Sequence, residues 1–177
     1  FERCPHYVRL SYPGHTDRRT GLVNEGFFGI GVKKGETYRF TVWARSLKGT
    51  AQITVQLIDP STMGERQEFA GAQLKVQNRK WARYEVQLKS PVTMNKAALR
   101  IYLNGRNAID LEHVSLFPVN TFKNRENGMR RDLAQALADQ HPGVLRFPGG
   151  CIVEGVDLAT RYQWKNTIGP VENRPLN

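Results

Sequence analysis

The feature that most constrains the fold of this chain is a period-two alternation of apolar and polar residues over its first two thirds. Alternation of this kind places successive side chains on opposite faces of a β-strand. Segments that show it, separated by Gly, Asn and Pro, are 38–46, 53–57, 74–76, 84–88, 99–103 and 109–117. Many short strands joined by turns predict an antiparallel β-sandwich or jelly roll with one wet face per sheet.

The pattern changes near residue 119. Residues 129–139 follow helical spacing, and residues 144–147 form a compact apolar run that predicts a short buried strand. The Pro-Gly-Gly sequence of residues 148–150 then predicts a loop. A helix, a strand and a Gly-rich loop in succession are typical of an α/β architecture. We therefore predict a mainly β chain, with a sandwich over residues 1–119 and a partial α/β segment over residues 120–177.

The charge of the chain is strongly basic, with 26 Lys and Arg against 16 Asp and Glu and a formal net charge of +10. Such an excess raises the hypothesis of a nucleic-acid partner. The bases are scattered along the alternating segments, with short doublets such as Arg18-Arg19 and Lys33-Lys34, which is typical of strand-edge protection and solubility. Because the apolar runs are only a few residues long, no segment is predicted to span a bilayer. We predict neither a nucleic-acid nor a membrane partner.

The cysteines and histidines show no metal-binding spacing. Cys4 and Cys151 are far apart in the sequence and define no disulfide framework, so we expect free thiols. No helix N-terminus or histidine is predicted beside Cys151, which argues against a nucleophile. The histidines, none of them in HxxxH or HxH spacing, are His6, His15, His113 and His141.

The most specific segments lie near the C-terminal end of the chain. Leu-Arg-Phe-Pro-Gly-Gly-Cys-Ile-Val-Glu-Gly occupies residues 145–155, Arg-Tyr-Gln-Trp-Lys-Asn-Thr-Ile-Gly-Pro residues 161–170, and Glu-Asn-Arg-Pro residues 172–175. These segments resemble α-L-arabinofuranosidases of glycoside hydrolase family fifty-one, most closely the branch of plants and gut-type Bacteroidetes. Upstream segments that agree with the resemblance are 24–30, 34–38, 110–118 and 129–133.

The resemblance implies a layout for the whole chain. In this branch a galactose-binding-like jelly roll, similar to a carbohydrate-binding module, is inserted near the start of a (β/α)₈ catalytic barrel. Residues 1–119 would be that module, with its N-terminal part missing. Residues 120–177 would be the first helix, the second strand and the active-face loop of the barrel. Because a complete barrel takes about 250 residues, we expect it to be truncated here.

The resemblance also implies which loop residues meet the substrate, since such barrels carry their active sites at the C-terminal face of the strands. Arg146 would support the floor of the arabinofuranosyl subsite. Gly149 and Gly150 permit a close backbone approach, and the main chain near Gly150 and Cys151 would meet the sugar ring. Trp164 is either a sugar-stacking residue or a buried packing residue.

The chemistry of the family is retaining hydrolysis by a pair of glutamates about 5 to 5.5 Å apart. The resemblance places both glutamates on later barrel strands, outside this chain, so we predict that the chain alone is inactive. Glu154 and Asp157 follow the Gly-Gly loop. Lone loop carboxylates are usually solvated or paired with Arg, so we predict no catalytic role for either. No cofactor is predicted.

Two aromatic residues of the sandwich, Trp43 and Tyr102, fall on the predicted polar faces of their strands. Aromatics on a wet face bind glycans in carbohydrate-binding modules, or they dock such a module onto its own barrel, and we favour docking. Asp110, together with Glu112, is a candidate ligand of a structural calcium, as in similar sandwiches. Calcium takes six to eight oxygen ligands, more than two acids supply.

The sequence therefore predicts part of a retaining exo-α-L-arabinofuranosidase. It would release terminal arabinofuranosyl residues from arabinose-containing polysaccharides or oligosaccharides of plants, such as arabinan or arabinoxylan, with the remainder of the barrel as its structural partner. A secreted or periplasmic location follows from the resemblance alone. The alternatives are a stand-alone carbohydrate-binding module, a basic nucleic-acid-binding β-domain, and a sandwich that only braces the barrel.

Overall fold

The computed structural model describes residues 5–12, 20–62, 68–146 and 149–175. Their chain divides into two compact units, one of which is Tyr7–Arg131, while the other contains the described residues from Asp132 onward. The strands of the described residues are β1 (Val8–Ser11), β2 (Gly21–Asn24), β3 (Ile30–Val32), β4 (Thr37–Ser46), β5 (Ala51–Ile58), β6 (Glu68–Val76), β7 (Ala82–Lys89), β8 (Met94–Asn104) and β9 (Ala108–Pro118). Among the described residues, no helix is both long enough and apolar enough to cross a membrane.

These strands form two antiparallel sheets. One sheet has the order β1-β9-β4-β7, and the other has the order β2-β8-β5-β6, with β3 also pairing with β8. Strands β2 and β3 run in succession along β8, so that Asn24 lies opposite Leu99 and Ile30 lies opposite Ala97. The two-sheet antiparallel sandwich confirms the fold class that the alternation predicted.

The apolar side of each alternating strand faces the interior between the two sheets. In β4, Phe40, Val42 and Ala44 are fully buried, whereas the intervening Trp43 and Arg45 keep part of their surface exposed. The other strands supply the same kind of residue to the core: Ile53, Val55, Leu57, Leu99, Ile101, Ile109 and Leu111. Burial of a side chain of this size stabilises the fold by roughly 1.5–3 kcal/mol. A register slip of one residue would forfeit this burial along a whole strand.

An extra residue in β9 interrupts the pairing of β9 with β4. The register shifts between Thr41, which lies opposite Ser115, and Trp43, which lies opposite Glu112. His113 adopts a φ of 47° at this point, in the left-handed region that few residues other than glycine occupy. A bulge of this kind increases the local twist and redirects the neighbouring side chains.

The described residues after the sandwich contain helix α1 (Arg131–Ala138) and the short helix α2 (Cys151–Glu154). Two 3-10 turns follow at Trp164–Thr167 and Val171–Asn173. Helix α1 confirms the helix predicted over residues 129–139, with ends that differ by one or two residues. At its first turn, Asp132 Oδ1 accepts a hydrogen bond from the N–H of Leu133 at 2.9 Å.

The strand predicted over residues 144–147 is wrong for residues 144–146, which belong to no strand; Phe147 lies outside the described residues. Val144 and Leu145 are 86% and 87% exposed. A strand needs a neighbour that completes its ladder of hydrogen bonds. Within the described part of the chain nothing pairs with this segment, so the apolar run has no sheet to join.

Candidate functional site

Asp110 is the centre of a polar network on the outer face of the four-stranded sheet. It lies between the core residues Ile109 and Leu111, so its side chain points away from the core, yet it is fully buried. Arg9 donates from Nε to Oδ1 at 2.6 Å and from Nη2 to Oδ2 at 3.1 Å. Arg45 donates from Nε to Oδ2 at 2.8 Å. The register explains this convergence, because β1 and β4 place Arg9 and Arg45 on either side of Asp110.

The two guanidinium groups determine the ionisation of Asp110. Burial by itself would raise the pKa of this carboxyl group, but the hydrogen bonds and charges of Arg9 and Arg45 outweigh it, and the pKa lies below its usual value. Both carboxylate oxygens therefore accept hydrogen bonds from arginine side chains of the protein itself.

This arrangement does not fit the predicted calcium site. A calcium ion at Asp110 would have to displace Arg9 and Arg45 from the oxygens that it needs. Nor do the described residues bring any three His, Cys, Asp or Glu side chains together in a way that could hold a metal ion. Glu112 is the second candidate ligand, and its Oε1 atom lies 3.6 Å from Nε2 of His113.

Arg45 also lies against two aromatic rings. Its Cζ atom is 4.7 Å from the ring centroid of Trp81 and 5.2 Å from that of Tyr7. The two rings meet edge to face, with their centroids 5.7 Å apart. A guanidinium group in this position is attracted by the negative faces of the rings. We call Tyr7, Arg9, Arg45, Trp81 and Asp110 the Arg45 cluster.

The two aromatics that the sequence singled out in the sandwich lie on different sheets. Trp43 is on the outer face of β4 and is half-buried, between Arg83 on β7 and Glu112 on β9 in the register. Tyr102 is on the outer face of β8 and only 9% exposed. It lies in the centre of its sheet, with β2 and β5 on either side. The predicted strand faces are correct, but Tyr102 offers no open ring to a ligand.

The C-terminal loop brings together several of the residues implied by the resemblance. Gly149, Gly150 and Cys151 are consecutive, and Gly150 has a φ of 89° immediately before helix α2. A Cβ atom added at Gly149 would lie 3.8 Å from Nε of Arg146, which places Arg146 beside the glycines. Trp164 begins a separate 3-10 turn and is 54% exposed.

The thiol of Cys151 is free and exposed, which confirms the expectation of a free thiol. The expectation that no helix begins beside Cys151 is wrong, because Cys151 is the first residue of the four-residue helix α2. Cys4, like His15 and Pro148, lies outside the described residues.

Asp157, which follows the Gly-Gly loop, organises its own turn. Its Oδ1 accepts hydrogen bonds from the N–H groups of Ala159 and Thr160 at 2.9 Å each and from the Thr160 hydroxyl at 3.0 Å. The hydrogen bond from the N–H of Thr160 has the largest effect on Asp157 and lowers its pKa. The bonds from the Thr160 hydroxyl and the Ala159 N–H lower the pKa further. A carboxylate that a turn holds ionised is a poor proton donor, which supports the prediction that Asp157 is not catalytic.

Phe27 and Phe28 are candidate functional residues that the sequence interpretation missed. They are 89% and 84% exposed, and their rings meet edge to face, with centroids 4.4 Å apart and planes at 67°. Gly26 and Gly29 on either side have φ values of 67° and 101°. The flanking glycines are the sequence signal that could have identified this exposed pair, because glycines around an apolar pair favour a turn over a buried strand.

A cleft of about 660 Å³ opens beside this turn. Its walls combine apolar surface with polar side chains from three parts of the sandwich: Glu25, Asp59, Pro60, Ser61, Met94, Asn95 and Lys96. The turn is anchored to the cleft wall, since a Cβ atom at Gly29 would lie 2.6 Å from Cα of Lys96 and 2.8 Å from the carbonyl oxygen of Asn95. We call Phe27, Phe28 and this cleft the Phe27–Phe28 site.

Most of the sandwich, with the Phe27–Phe28 site and most of the Arg45 cluster, falls in a segment that matches a known family. The family of carbohydrate-binding domains matches residues 7–108, more than half of the chain. The chain belongs to the carbohydrate-binding domain family. A second match, to the "Alpha-L-arabinofuranosidase 1 domain", covers residues 136–177. This carbohydrate-binding domain is therefore followed by the start of an arabinofuranosidase domain, and the resemblance identified from the sequence motifs is confirmed.

Individual relatives match along nearly the whole of this chain. An extracellular exo-α-L-arabinofuranosidase of Streptomyces chartreusis is 38% identical over 171 residues, which cover 89% of this chain and 20% of that protein. α-L-Arabinofuranosidase 1 of Arabidopsis thaliana is 35% identical, over 88% of this chain and 22% of that protein. An arabinose-bound family GH51 α-L-arabinofuranosidase superposes with a TM-score of 0.83 at 30% identity, over 96% of this chain and 28% of that one.

The chain thus spans between a fifth and 28% of the length of the curated relatives that it matches. Within that span, the carbohydrate-binding domain contains the whole Phe27–Phe28 site and all of the Arg45 cluster except Asp110. The arabinofuranosidase match contains the loop residues Arg146, Gly149, Gly150, Cys151 and Trp164.

Proposed function

We propose that the protein to which this chain belongs is a retaining exo-α-L-arabinofuranosidase that releases terminal arabinofuranosyl residues from plant polysaccharides. The observation that carries the proposal is the domain order: a carbohydrate-binding sandwich followed by the start of an arabinofuranosidase domain. The superposition over 96% of this chain on an arabinose-bound α-L-arabinofuranosidase supports the same conclusion. The sandwich would hold the polymer or brace the barrel while the barrel cleaves.

The 177-residue chain alone should not hydrolyse glycosides. Retaining cleavage needs a nucleophile and an acid/base carboxyl group about 5–5.5 Å apart, and the resemblance assigns both to later barrel strands. Of the two loop carboxylates that follow the glycines, Asp157 accepts the hydrogen bonds of its own turn, which supports a structural role for it.

The C-terminal loop would form part of the arabinofuranosyl subsite. Among the described residues, the atom nearest to the position of a Cβ at Gly149 is Nε of Arg146, and none lies within 4 Å of that position at Gly150. A main chain without side chains at these two residues is accessible to a sugar ring. The exposed Cys151 and Trp164 would line the same subsite, Trp164 by stacking on an apolar sugar face.

The test compares the longer protein encoded by the same gene with the 177-residue chain, on an aryl α-L-arabinofuranoside and on arabinan and arabinoxylan. The longer protein is expected to release arabinose, with the α-anomer formed first in proton NMR, and the shorter chain is expected to release none. First formation of the β-anomer would exclude retention. Turnover by the 177-residue chain would place the catalytic carboxylates within it and contradict the proposal.

A stand-alone carbohydrate-binding function is the second candidate. The compactness of the unit Tyr7–Arg131, with a core of its own, favours it. Retardation of the 177-residue chain in gels that contain arabinoxylan or arabinan, together with a gene that encodes no barrel beyond it, would support this alternative. A sandwich that only braces the barrel would show no retardation.

A further inference from the structure

We propose that the Phe27–Phe28 site binds an uncharged polysaccharide segment, with sugar rings stacked on the two phenylalanines and hydroxyl groups bound by the polar walls of the cleft. The inference rests on the proposed function, because it assigns the carbohydrate-binding role of the sandwich to particular residues. It places the ligand at one end of the sandwich, beside the turn between β2 and β3.

The exposure of the two rings is the first argument. Phe27 and Phe28 leave 89% and 84% of their surface in water, and no core residue of the sandwich covers them. An edge-to-face pair at 67° keeps ring faces open to a third group. Two adjacent apolar rings in water are unfavourable, and the C–H face of a pyranose or furanose ring is a cover that a carbohydrate ligand can supply.

The rigidity of the turn is the second argument. Asn24 Oδ1 accepts a hydrogen bond from the N–H of Gly26 at 2.8 Å, and Phe28 has a φ of 62°. The backbone of Gly29 lies so close to Lys96 that a side chain would collide with it. A turn fixed in this way presents its rings in one arrangement, and a preorganised surface loses less conformational entropy when it binds.

The chemistry of the cleft is the third argument, and it selects the ligand. Binding of a sugar requires hydrogen-bond donors and acceptors beside the apolar platform, and Asn95 and Lys96 supply donors there. Glu25 and Asp59 supply acceptors; Asp59 is fixed by hydrogen bonds from the Ser61 N–H at 2.9 Å and the Ser61 hydroxyl at 2.6 Å.

The charge of the cleft then disfavours polyanions. Among the described wall residues two carboxylates outnumber one ammonium group, so that a nucleic acid or a polygalacturonate would be less favoured there than a neutral polymer, although the whole chain carries a net charge of +10. A neutral arabinan or arabinoxylan is not repelled. The volume of about 660 Å³ lies within the range of sites that hold small organic ligands, roughly 300–1,000 Å³.

The experiment measures the affinity of the 177-residue chain for arabinan, arabinoxylan and polygalacturonate, by affinity electrophoresis and by calorimetry. We expect Phe27→Ala and Phe28→Ala each to weaken binding of the neutral polymers about tenfold, which corresponds to about 1.4 kcal/mol. Phe27→Tyr, which keeps the ring, should bind as the parent does. Leu47→Ala, which truncates another exposed apolar residue of the sandwich, is the matched control and should leave binding unchanged.

The outcomes separate this inference from the proposed function. Tight binding by the parent chain that survives both alanine substitutions overturns the site and leaves the carbohydrate-binding role intact. Absence of binding by the parent chain overturns the site, while hydrolysis by the longer protein independently tests the enzymatic function. Preference for polygalacturonate, or loss of self-association instead of glycan binding in the alanine variants, also overturns it. Unchanged circular dichroism and melting temperature show that the variants are folded.

Discussion

The guanidinium of Arg45 lies 4.7 Å from the ring centroid of Trp81 while its Nε donates to the buried carboxylate of Asp110 at 2.8 Å. One side chain thus compensates a buried charge and packs on an aromatic face at the same time. Arginine suits this double role because its planar guanidinium can stack and donate in its own plane. The network joins β1, β4 and β9 on the outer face of the sheet, independently of the apolar core on the other face.

Replacement of Arg45 by lysine should therefore destabilise the sandwich although the charge is kept. We expect Arg45→Lys to lower the free energy of unfolding by about 1–2 kcal/mol, because the planar hydrogen bond to Asp110 and the stacking on Trp81 are both lost. Urea denaturation followed by tryptophan fluorescence measures the change. Arg106→Lys is the matched control, since Arg106 is exposed over Tyr12 and should change stability by less than about 0.5 kcal/mol. Equal effects of the two substitutions would contradict the assignment.

Asp110 should make the stability of the sandwich depend on pH in acid. Its pKa is lowered in the folded state, so the unfolded chain binds more protons, and the stabilisation is complete above the unfolded pKa of about 4. It is lost as the pH falls through the folded pKa. At pH 7, Asp110→Asn should cost about 2–3 kcal/mol, less than the roughly 3–5 kcal/mol for a fully buried pair, because Arg9 and Arg45 keep some contact with water.

The measurement is a series of urea denaturations at pH 7, 5, 4 and 3. The difference between the parent chain and Asp110→Asn should stay constant from pH 7 to 5 and shrink below pH 4. Glu85→Gln, which removes an exposed carboxylate 3.7 Å from Arg83, is the control and should show a small difference at every pH. A difference that grows in acid would refute the sign of the pKa shift.

The alternation of apolar residues predicted the sandwich because burial of one strand face is a local, repetitive signal. Phe40 and Val42 are buried and Trp43 and Arg45 are on the opposite face, as the pattern indicated. The Arg45 cluster could not be predicted in this way. Arg9 and Asp110 are 101 residues apart, and their meeting depends on which strands are neighbours, which alternation does not reveal.

In two other segments the apolar composition predicts burial, but the structure leaves the side chains exposed. Residues 144–147 have the composition of a buried strand, but a strand also needs a partner, and residues 144–146 pair with none in the described part of the chain. Phe27 and Phe28 lie in an apolar run, yet the positive φ values of Gly26 and Gly29 turn the chain and leave the rings in water. Composition predicts the tendency to be buried, and the backbone decides whether burial occurs.

The exposed thiol of Cys151 should react under native conditions. We expect alkylation by iodoacetamide at pH 8 to label Cys151 within minutes, because the residue is exposed and has no disulfide partner. Peptide mass spectrometry identifies the labelled position, and Cys151→Ser is the control that should lose this label. Labelling of Cys151 only after addition of denaturant would show that the loop is covered. In the longer protein, L-arabinose should slow the reaction if the loop lines the sugar subsite.

Gly29 should be the residue on which the turn of the Phe27–Phe28 site depends. Its φ of 101° disfavours any side chain, and a Cβ atom would lie 2.6 Å from Cα of Lys96. We therefore expect Gly29→Ala to lower the free energy of unfolding by about 2–3 kcal/mol, from backbone strain and from the displacement of β8. Gly31→Ala, two residues along, is the matched control, because open space surrounds the position of its Cβ.

The control should leave stability unchanged or raise it by up to about 1 kcal/mol, since alanine reduces the conformational entropy of the unfolded chain. Urea denaturation measures both variants. Because the contact of Gly29 is with the backbone of β8, and not with a flexible side-chain tip, the turn cannot relax without moving a wall of the cleft. Gly29→Ala should therefore weaken glycan binding even where the variant remains folded, whereas Gly31→Ala should bind as the parent does. Equal stability of the two variants would show that the turn is not held by this contact.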